Sequence, residues 1–432
     1  MRVLTIHPCL NVVVFSILML TVSTLLGNLV GATVASSENC IYYDSSLRLI
    51  SVSCRSSNLE SLLNFINDPS VLKKESDGIW LLNANLQIDG DSTFFINSTD
   101  TNWLKINSAD ADNAYRIQVL GSLKIDSVKL SSWNTTSNSY AVTDGHTPRA
   151  SITVLPTATG KTDITNSEIA YLGDGNVSRG QGLSYWAGDN SIIKNNTIHH
   201  MWYGFYSERI GNVTIEDNHV YDDMKYGIDP HTGTHDMVIR NNKVHDNGHI
   251  GIICSLDCKN ITIDGNVVFN NTDAGIMLSK NVQSSIIRNN KVQDENTGVS
   301  VSDSGRNEIY LNDISDNNNG IQIKSNSSHN QIYSNYIKNS AKCGIEISHS
   351  ALNNTMSSNK VLQSKSGICL FYNPSQNMMR NNTIDAASGT AIYAKDSNAE
   401  DNVFQYNQLV NVSRNPVRLI NGTLKIINNT VN

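Results

Sequence analysis

The sequence predicts an all-β chain wound as a parallel β-helix (a solenoid), and three observations carry that expectation. A glycine followed by alternating aliphatics recurs at Gly204, Gly227, Gly251, Gly275, Gly298, Gly320, Gly344 and Gly367, in steps of 22 to 24 residues. In phase with it, an asparagine stands two before a Val, Ile or Leu at Asn196, Asn218, Asn242, Asn266, Asn290, Asn312, Asn335, Asn359, Asn382, Asn407 and Asn429. Stretches such as Asn260-Ile-Thr-Ile-Asp and Gly320-Ile-Gln-Ile-Lys alternate with the two-residue period of short strands, and nothing in the repeat has the 3.6-residue period of a helix. Two or three such strands fill one coil of about 23 residues, so equivalent positions stack about 4.8 Å apart and inward positions form aliphatic ladders. The recurrent asparagine fits inside a turn, its amide bonding backbone groups of the next coil. A leucine-rich horseshoe shares the period but needs a leucine scaffold that is absent here.

Taken in chain order, residues 1–35 read as an export signal: Arg2 supplies a positive start, Val12 to Val30 is almost wholly apolar, and Thr33-Val34-Ala35 offers small residues for cleavage. The apolar run is nearly long enough to span a bilayer, so an uncleaved membrane anchor through residues 10–30 is the rival reading. Either way the remainder is expected outside the cytoplasm, as a secreted, periplasmic or cell-surface protein. Beyond Cys9, six cysteines remain, an even number that suggests disulfides; Cys40–Cys54 is the natural local pair, and Cys254 and Cys258 are candidates for free thiols. Thirteen N-x-S/T sequons, among them Asn97, Asn134, Asn212 and Asn421, are acceptor sites for glycosylation or a product of an Asn-, Ser- and Thr-rich composition.

Residues 36–114 are expected to form an N-terminal cap and first irregular coils, with Asn58 to Phe65 a short helix that plugs the open end. Residues 115–432 are expected to form the solenoid proper, its last coils less well capped. A net charge of −7 and the absence of a basic run exclude nucleic acid as the expected partner. An anionic substrate remains compatible, because a groove can be basic on an acidic protein.

Outward positions of a pure scaffold should be unremarkable, yet the stretch from 199 to 260 holds His199, His200, Trp202, Tyr203, Tyr206, Glu208, Arg209, Tyr226, Asp229, His231, His235, His245 and His249. Rings to stack on sugars and charges to act on them are the profile of a carbohydrate site. Relative to Gly227, Tyr226 is one before, Asp229 two after and His231 four after, so alternation puts Asp229 and His231 on one face. The coil above contributes Tyr203, Tyr206, Glu208 and Arg209, and the coil below His249.

Met201-Trp-Tyr-Gly-Phe-Tyr followed by Tyr226-Gly-Ile-Asp-Pro-His closely resembles the periplasmic mannuronan C5-epimerases. The second motif is also similar to the catalytic motif of the secreted, calcium-dependent alginate epimerases. The resemblance spans roughly Lys124 to Val301, including Ser131-Ser-Trp and Thr147-Pro-Arg. It implies a right-handed parallel β-helix and conversion of mannuronate to guluronate within a polymer, with His231 and Tyr226 the acid/base pair and Asp229 a site carboxylate. Which of the two is base is left open. The periplasmic family carries an arginine five beyond the coil glycine after the motif; Leu256 stands there, and the same column holds Arg209 and Lys280. Arg209, assisted by Lys280, is therefore expected to neutralise the substrate carboxylate, with Trp202, Tyr203, Tyr206, Glu208 and His249 completing the substrate site. A β-eliminating lyase shares the C5 proton abstraction, and a non-catalytic carbohydrate-binding surface protein shares the scaffold; a hydrolase lacks a clear pair of facing carboxylates. The calcium-binding nonapeptide repeats of the secreted epimerases are missing, so no cofactor or metal is expected to be required, and the chain is expected to act as a monomer.

Overall fold

The computed structural model describes residues 40–109, 114–175, 179–386, 389–396, 401–413 and 415–431. The expected signal or anchor, residues 1–35, lies outside them. The described chain is a right-handed parallel β-helix of about 14 turns. One coil is typified by Ile228–His231, Val238–Arg240 and Lys243–His245, after which Ile250–Ser255 opens the next coil beneath Ile228–His231. The first sheet stacks 16 strands and the second 15 among the described residues, and a third closes the triangle.

Inward positions fall in register from coil to coil. Ile215, Ile239, Ile263, Ile287, Ile309 and Ile332 form one ladder with side chains 1 % exposed or less. Each such burial contributes about 1.5–3 kcal/mol, and the ladder loses all of it if the strand slips by one residue.

The two markers of the sequence have separate physical causes. Asn242 donates its Nδ2 hydrogens to Ile215 O and to Asn266 Oδ1, at 3.0 Å each, while Asn266 Oδ1 also accepts from Asn242 N at 2.9 Å. The same pattern joins Asn196 to Asn218 and onward to Asn429, so every buried amide satisfies a backbone group it would otherwise strand. Glycine is required where first and third sheets meet: a Cβ on Gly227 would stand 2.7 Å from Gly251 O and 2.7 Å from Val244 Cγ1.

Stacked coils begin earlier than the visible repeat. Leu86 pairs with Ile117 and Ile117 with Ile152 in the first sheet, but partners here lie up to 39 residues apart, as in the Lys124–Asp163 ion pair. Later coils keep 22 to 25. Loop insertions in the first coils hide the period without disturbing the pairing.

Leu59–Ile66 is a helix whose N-cap, Asn58, accepts from Ser61 N, and which buries Leu59 and Leu62. Beside it the hairpin Ile41–Asp44 and Leu49–Val52 is closed by the Cys40–Cys54 disulfide. A second disulfide joins Cys343 to Cys369 on adjacent coils, and Cys254 and Cys258 are free and buried. The C-terminal coil is the thin one: Ile426 is 46 % and Val431 60 % exposed.

A further ladder runs from Asp223 through Asn247 and Asn271 to Glu295 and Asn317. Glu295 takes an asparagine's place there; it accepts from Asn271 Nδ2 at 2.8 Å, and its Oε2 is buried without a partner. Burial pushes this carboxyl up to about 8. A folded pKa above the unfolded one gives stability that is full below the unfolded pKa and lost as the pH rises towards the folded pKa. Glu295→Gln keeps the acceptor and removes the charge. Urea midpoints at pH 5 and pH 8 should therefore show the variant gaining on the parent as the pH rises.

Candidate active site

The first-sheet strands Tyr203–Glu208 and Ile228–His231 lie side by side, with Tyr206 opposite Asp229 and Glu208 opposite His231. Phe205 and Ile228 point into the core, which turns Tyr206, Asp229 and His231 outward. Tyr203 and Tyr226 stack at 5.2 Å between centroids, Tyr203 and Tyr206 at 5.7 Å, and the Tyr206 ring lies 5.4 Å from His231. These rings form a wall, and Asp229, 1 % exposed, is sealed behind it with Oδ1 lacking any hydrogen-bond partner.

In front of the wall is an open cleft of about 240 Å³, lined by Tyr226, His231, His249, Ile250, Ile253, Ser255, Asp273, Met277, Ser279 and Lys280. His231 Nδ1 lies 2.8 Å from Thr232 Oγ1 and 3.4 Å from the Tyr206 hydroxyl, leaving Nε2 for a ligand. Thr232 holds this contact from a positive φ of 25°, a costly conformation for a β-branched residue. His249 meets the Tyr226 ring edge-on at 5.4 Å, and its Nδ1 is buried without a partner.

Burial dominates the electrostatics. It raises the Asp229 carboxyl well above its ordinary range, with the Glu208 carboxylate adding to the effect. It also raises the phenols of Tyr203, Tyr206 and Tyr226, so all three are held protonated. The His231 imidazole is pushed down by burial; Glu208 opposes the shift and Lys280 reinforces it. The face thus presents a phenol, Tyr226, and an imidazole, His231, with Asp229, whose carboxyl burial shifts towards its neutral form, behind the rings.

The structure separates the two expected cations. Lys280 lines the cleft with His231. The Arg209 side chain is 69 % exposed and pairs with Glu208 Oε2 at 3.4 Å, while Glu208 Oε1 accepts from the Tyr206 hydroxyl at 2.7 Å. Glu208 and Arg209 thus stand on the rim. Trp202 does not line the cleft. Its indole fills the space left by Gly145 and Gly175, where a Cβ would come within 3.0 Å and 2.8 Å of it, and Lys225 lies 5.6 Å from its ring. It anchors two loops behind Tyr203.

The other histidines of this stretch are elsewhere. His199 and His245 flank Tyr221 in a stacked column on the third sheet, continued by Phe269, and His235 pairs with Asp236 at 2.7 Å in a turn. Sequence reasoning missed the apolar floor, Ile253 and Met277. Its signal was present, since each lies two after a coil glycine, in Asp229's own column.

Fold and site together define a parallel β-helix protein with a concave site of aromatic and titratable side chains on its first sheet. The chain belongs to the family described as periplasmic copper-binding protein (NosD), whose profile matches residues 107–253 and 157–351, together more than half of it. The expected likeness to mannuronan C5-epimerases also holds. A protein of that name from Pseudomonas syringae pv. tomato is 25 % identical over 203 residues, 44 % of this chain and 36 % of the relative. One from Pseudomonas aeruginosa is 35 % identical over 60 residues, 14 % of this chain and 10 % of the relative. The chain thus spans about a third or less of the length of these curated relatives. The crystal structure of the periplasmic alginate epimerase AlgG superposes with a TM-score of 0.66 at 18 % identity, over 89 % of this chain and 87 % of that one, which establishes the shared fold. As for the metal in the family's name, no group of three His, Cys, Asp or Glu among the described residues is arranged to hold an ion. The two imidazoles of the cleft, His231 and His249, belong to no such group, and Lys280 sets a cation beside them.

The electrostatics of the cleft are testable without substrate. NMR titration of the His231 imidazole should give a pKa below the ordinary value. Lys280→Ala, which removes a nearby cation, should raise it, and Glu208→Gln, which removes an anion, should lower it further.

Proposed function

We propose that the chain is a polysaccharide C5-epimerase that converts β-D-mannuronate to α-L-guluronate residues within an alginate-like polymer. The observation that carries the reading is the joining of Tyr226, His231 and Lys280 around one open cleft, with Asp229 buried behind its aromatic wall, in a chain similar to proteins named mannuronan C5-epimerase. The C5 hydrogen is weakly acidic, so the adjoining carboxylate must be neutralised before an enolate-like state is tolerable. Lys280, at the cleft, supplies the neutralising cation, and Asp229, whose carboxyl burial shifts towards its neutral form, stands behind the tyrosine rings without adding a charge that would oppose the substrate's own. His231 is the base, its Nε2 taking the C5 proton. Tyr226, a protonated phenol across the cleft, returns a proton to the opposite face. Tyr203 and Tyr206 keep water from Asp229, and Arg209, Glu208 and His249 orient the sugar and its neighbours at the rim.

Two disulfides, an export-like start and the periplasmic family name support work outside the cytoplasm. Cleavage of residues 1–35, or anchoring through 10–30, belongs to the same reading, as do secretion, glycosylation at the sequons, a monomeric state and independence of a required metal.

Proton NMR of polymannuronate incubated with the protein tests the reading. Guluronate signals are expected; an ultraviolet-absorbing unsaturated product would mark a lyase, and binding without product a non-catalytic surface protein. His231→Ala and Tyr226→Phe should each lower turnover by roughly 10²–10⁴-fold, the usual contribution of a positioned acid or base. Asp229→Asn, which fills the same buried space without a charge and so keeps the tyrosine wall in place, should retain more activity than Asp229→Ala. Lys280→Ala should cost more turnover than Arg209→Ala; the reverse order would return the neutralising role to Arg209.

A further inference from the structure

The outward column of Asp229 continues through Ile253, Met277, Ser300, Gln322 and Glu346 to Cys369 and Tyr393. Glu346 is therefore five coils from Asp229, roughly 24 Å at about 4.8 Å per coil. There the face opens into a second cleft, of about 230 Å³. Two exposed lysines, Lys342 and Lys365, border it, and Phe371 and Tyr393 pack edge-to-face at 5.4 Å to form its aromatic side. The Cys343–Cys369 disulfide ties the floor across two coils. The one acidic group lining it, Glu346, already accepts from Gln322 Nε2 and Ser348 Oγ, each at 2.9 Å. Further cations stand in the neighbouring column, where Lys324 and Lys395 share the alignment of His231.

We propose that this cleft is a distal subsite for the same anionic polysaccharide chain, a uronan lying along the first sheet from the catalytic cleft towards the C-terminus. The inference rests on the epimerase reading for its polymer. Charge complementarity selects the occupant: two lysines and an aromatic side on a protein of net charge −7 suit a chain of carboxylated sugars. Geometry supplies the path. An extended pyranose is about as long as one coil spacing, so the polymer advances about one sugar per coil. The face between the clefts bears the short, buried side chains of Thr297, Ser300 and Asn319, with the uncharged Gln322 beside them. The subsite holds the chain during and between turnovers and takes no part in the proton transfers.

The test is Lys342→Glu/Lys365→Glu, compared with the parent on polymannuronate and on a mannuronate tetramer, which is too short to reach from His231 to Glu346. KM for the polymer should rise roughly fivefold, the loss expected of two exposed ion pairs, with kcat and tetramer turnover unchanged. An unchanged polymer KM overturns the subsite and leaves the epimerase reading standing; an equal loss on the tetramer also overturns it, because the charges would then act at the catalytic cleft. Fluorescence anisotropy with end-labelled polymannuronate needs no turnover. Weaker binding by the double variant of a protein that converts nothing would support the subsite while sinking the epimerase reading. Equal binding by variant and parent would overturn the subsite.

Discussion

Register between coils is the constraint on which the rest of this structure depends. Strand pairing sets the spacing, but uniform β-pairing alone does not fix which residue lies over which. The asparagine ladder does, because each side chain reads both neighbours: Asn242 touches Ile215 behind it and Asn266 ahead. The close approach at Gly227 and Gly251, where no Cβ fits, adds a steric stop at every coil. A one-residue slip would strand these amides and turn Asp229 and His231 towards the aliphatic interior.

The same stacking creates the chemistry. Parallel columns place Tyr203 over Tyr226 and Tyr206 over Asp229 without any special loop, so a wall of rings and a buried acid arise from ordinary coil geometry. Burial then does what no isolated residue could: it holds Asp229 and the phenols protonated and keeps His231 neutral. Asp229 Oδ1 is buried and unpartnered, and Thr232, a β-branched residue, takes the positive φ that Arg209, Leu256 and Lys280 share at the same turn of other coils. Asp229 and Thr232 stand on either side of His231 in the chain.

Much of the fold was legible because a solenoid repeats its physics. One glycine and one asparagine per coil, in phase, are enough to reveal the coil, and the alternation about Gly227 correctly put Asp229 and His231 on one face. The capping helix was legible through Asn58 and the apolar residues after it. The first coils were not, since loop insertions between Ile125 and Ile164 spread partners 39 residues apart, and spacing is the signal that sequence reading uses.

By itself, then, the sequence determined the solenoid, the column assignments, the local disulfide at Cys40 and Cys54 and the shared sheet of Tyr226, Asp229 and His231, because each depends on periodicity or on neighbours within one coil. Only the tertiary structure decided which charges face the cleft. Arg209 and Lys280 occupy equivalent turn positions, both at positive φ, yet one is captured by Glu208 on the rim and the other borders His231. Trp202 was withdrawn from the cleft by two distant glycines, and His199 and His245 were carried to another sheet. These outcomes depend on which side chains meet across coils and loops far apart in sequence, and contacts of that kind leave no period to read.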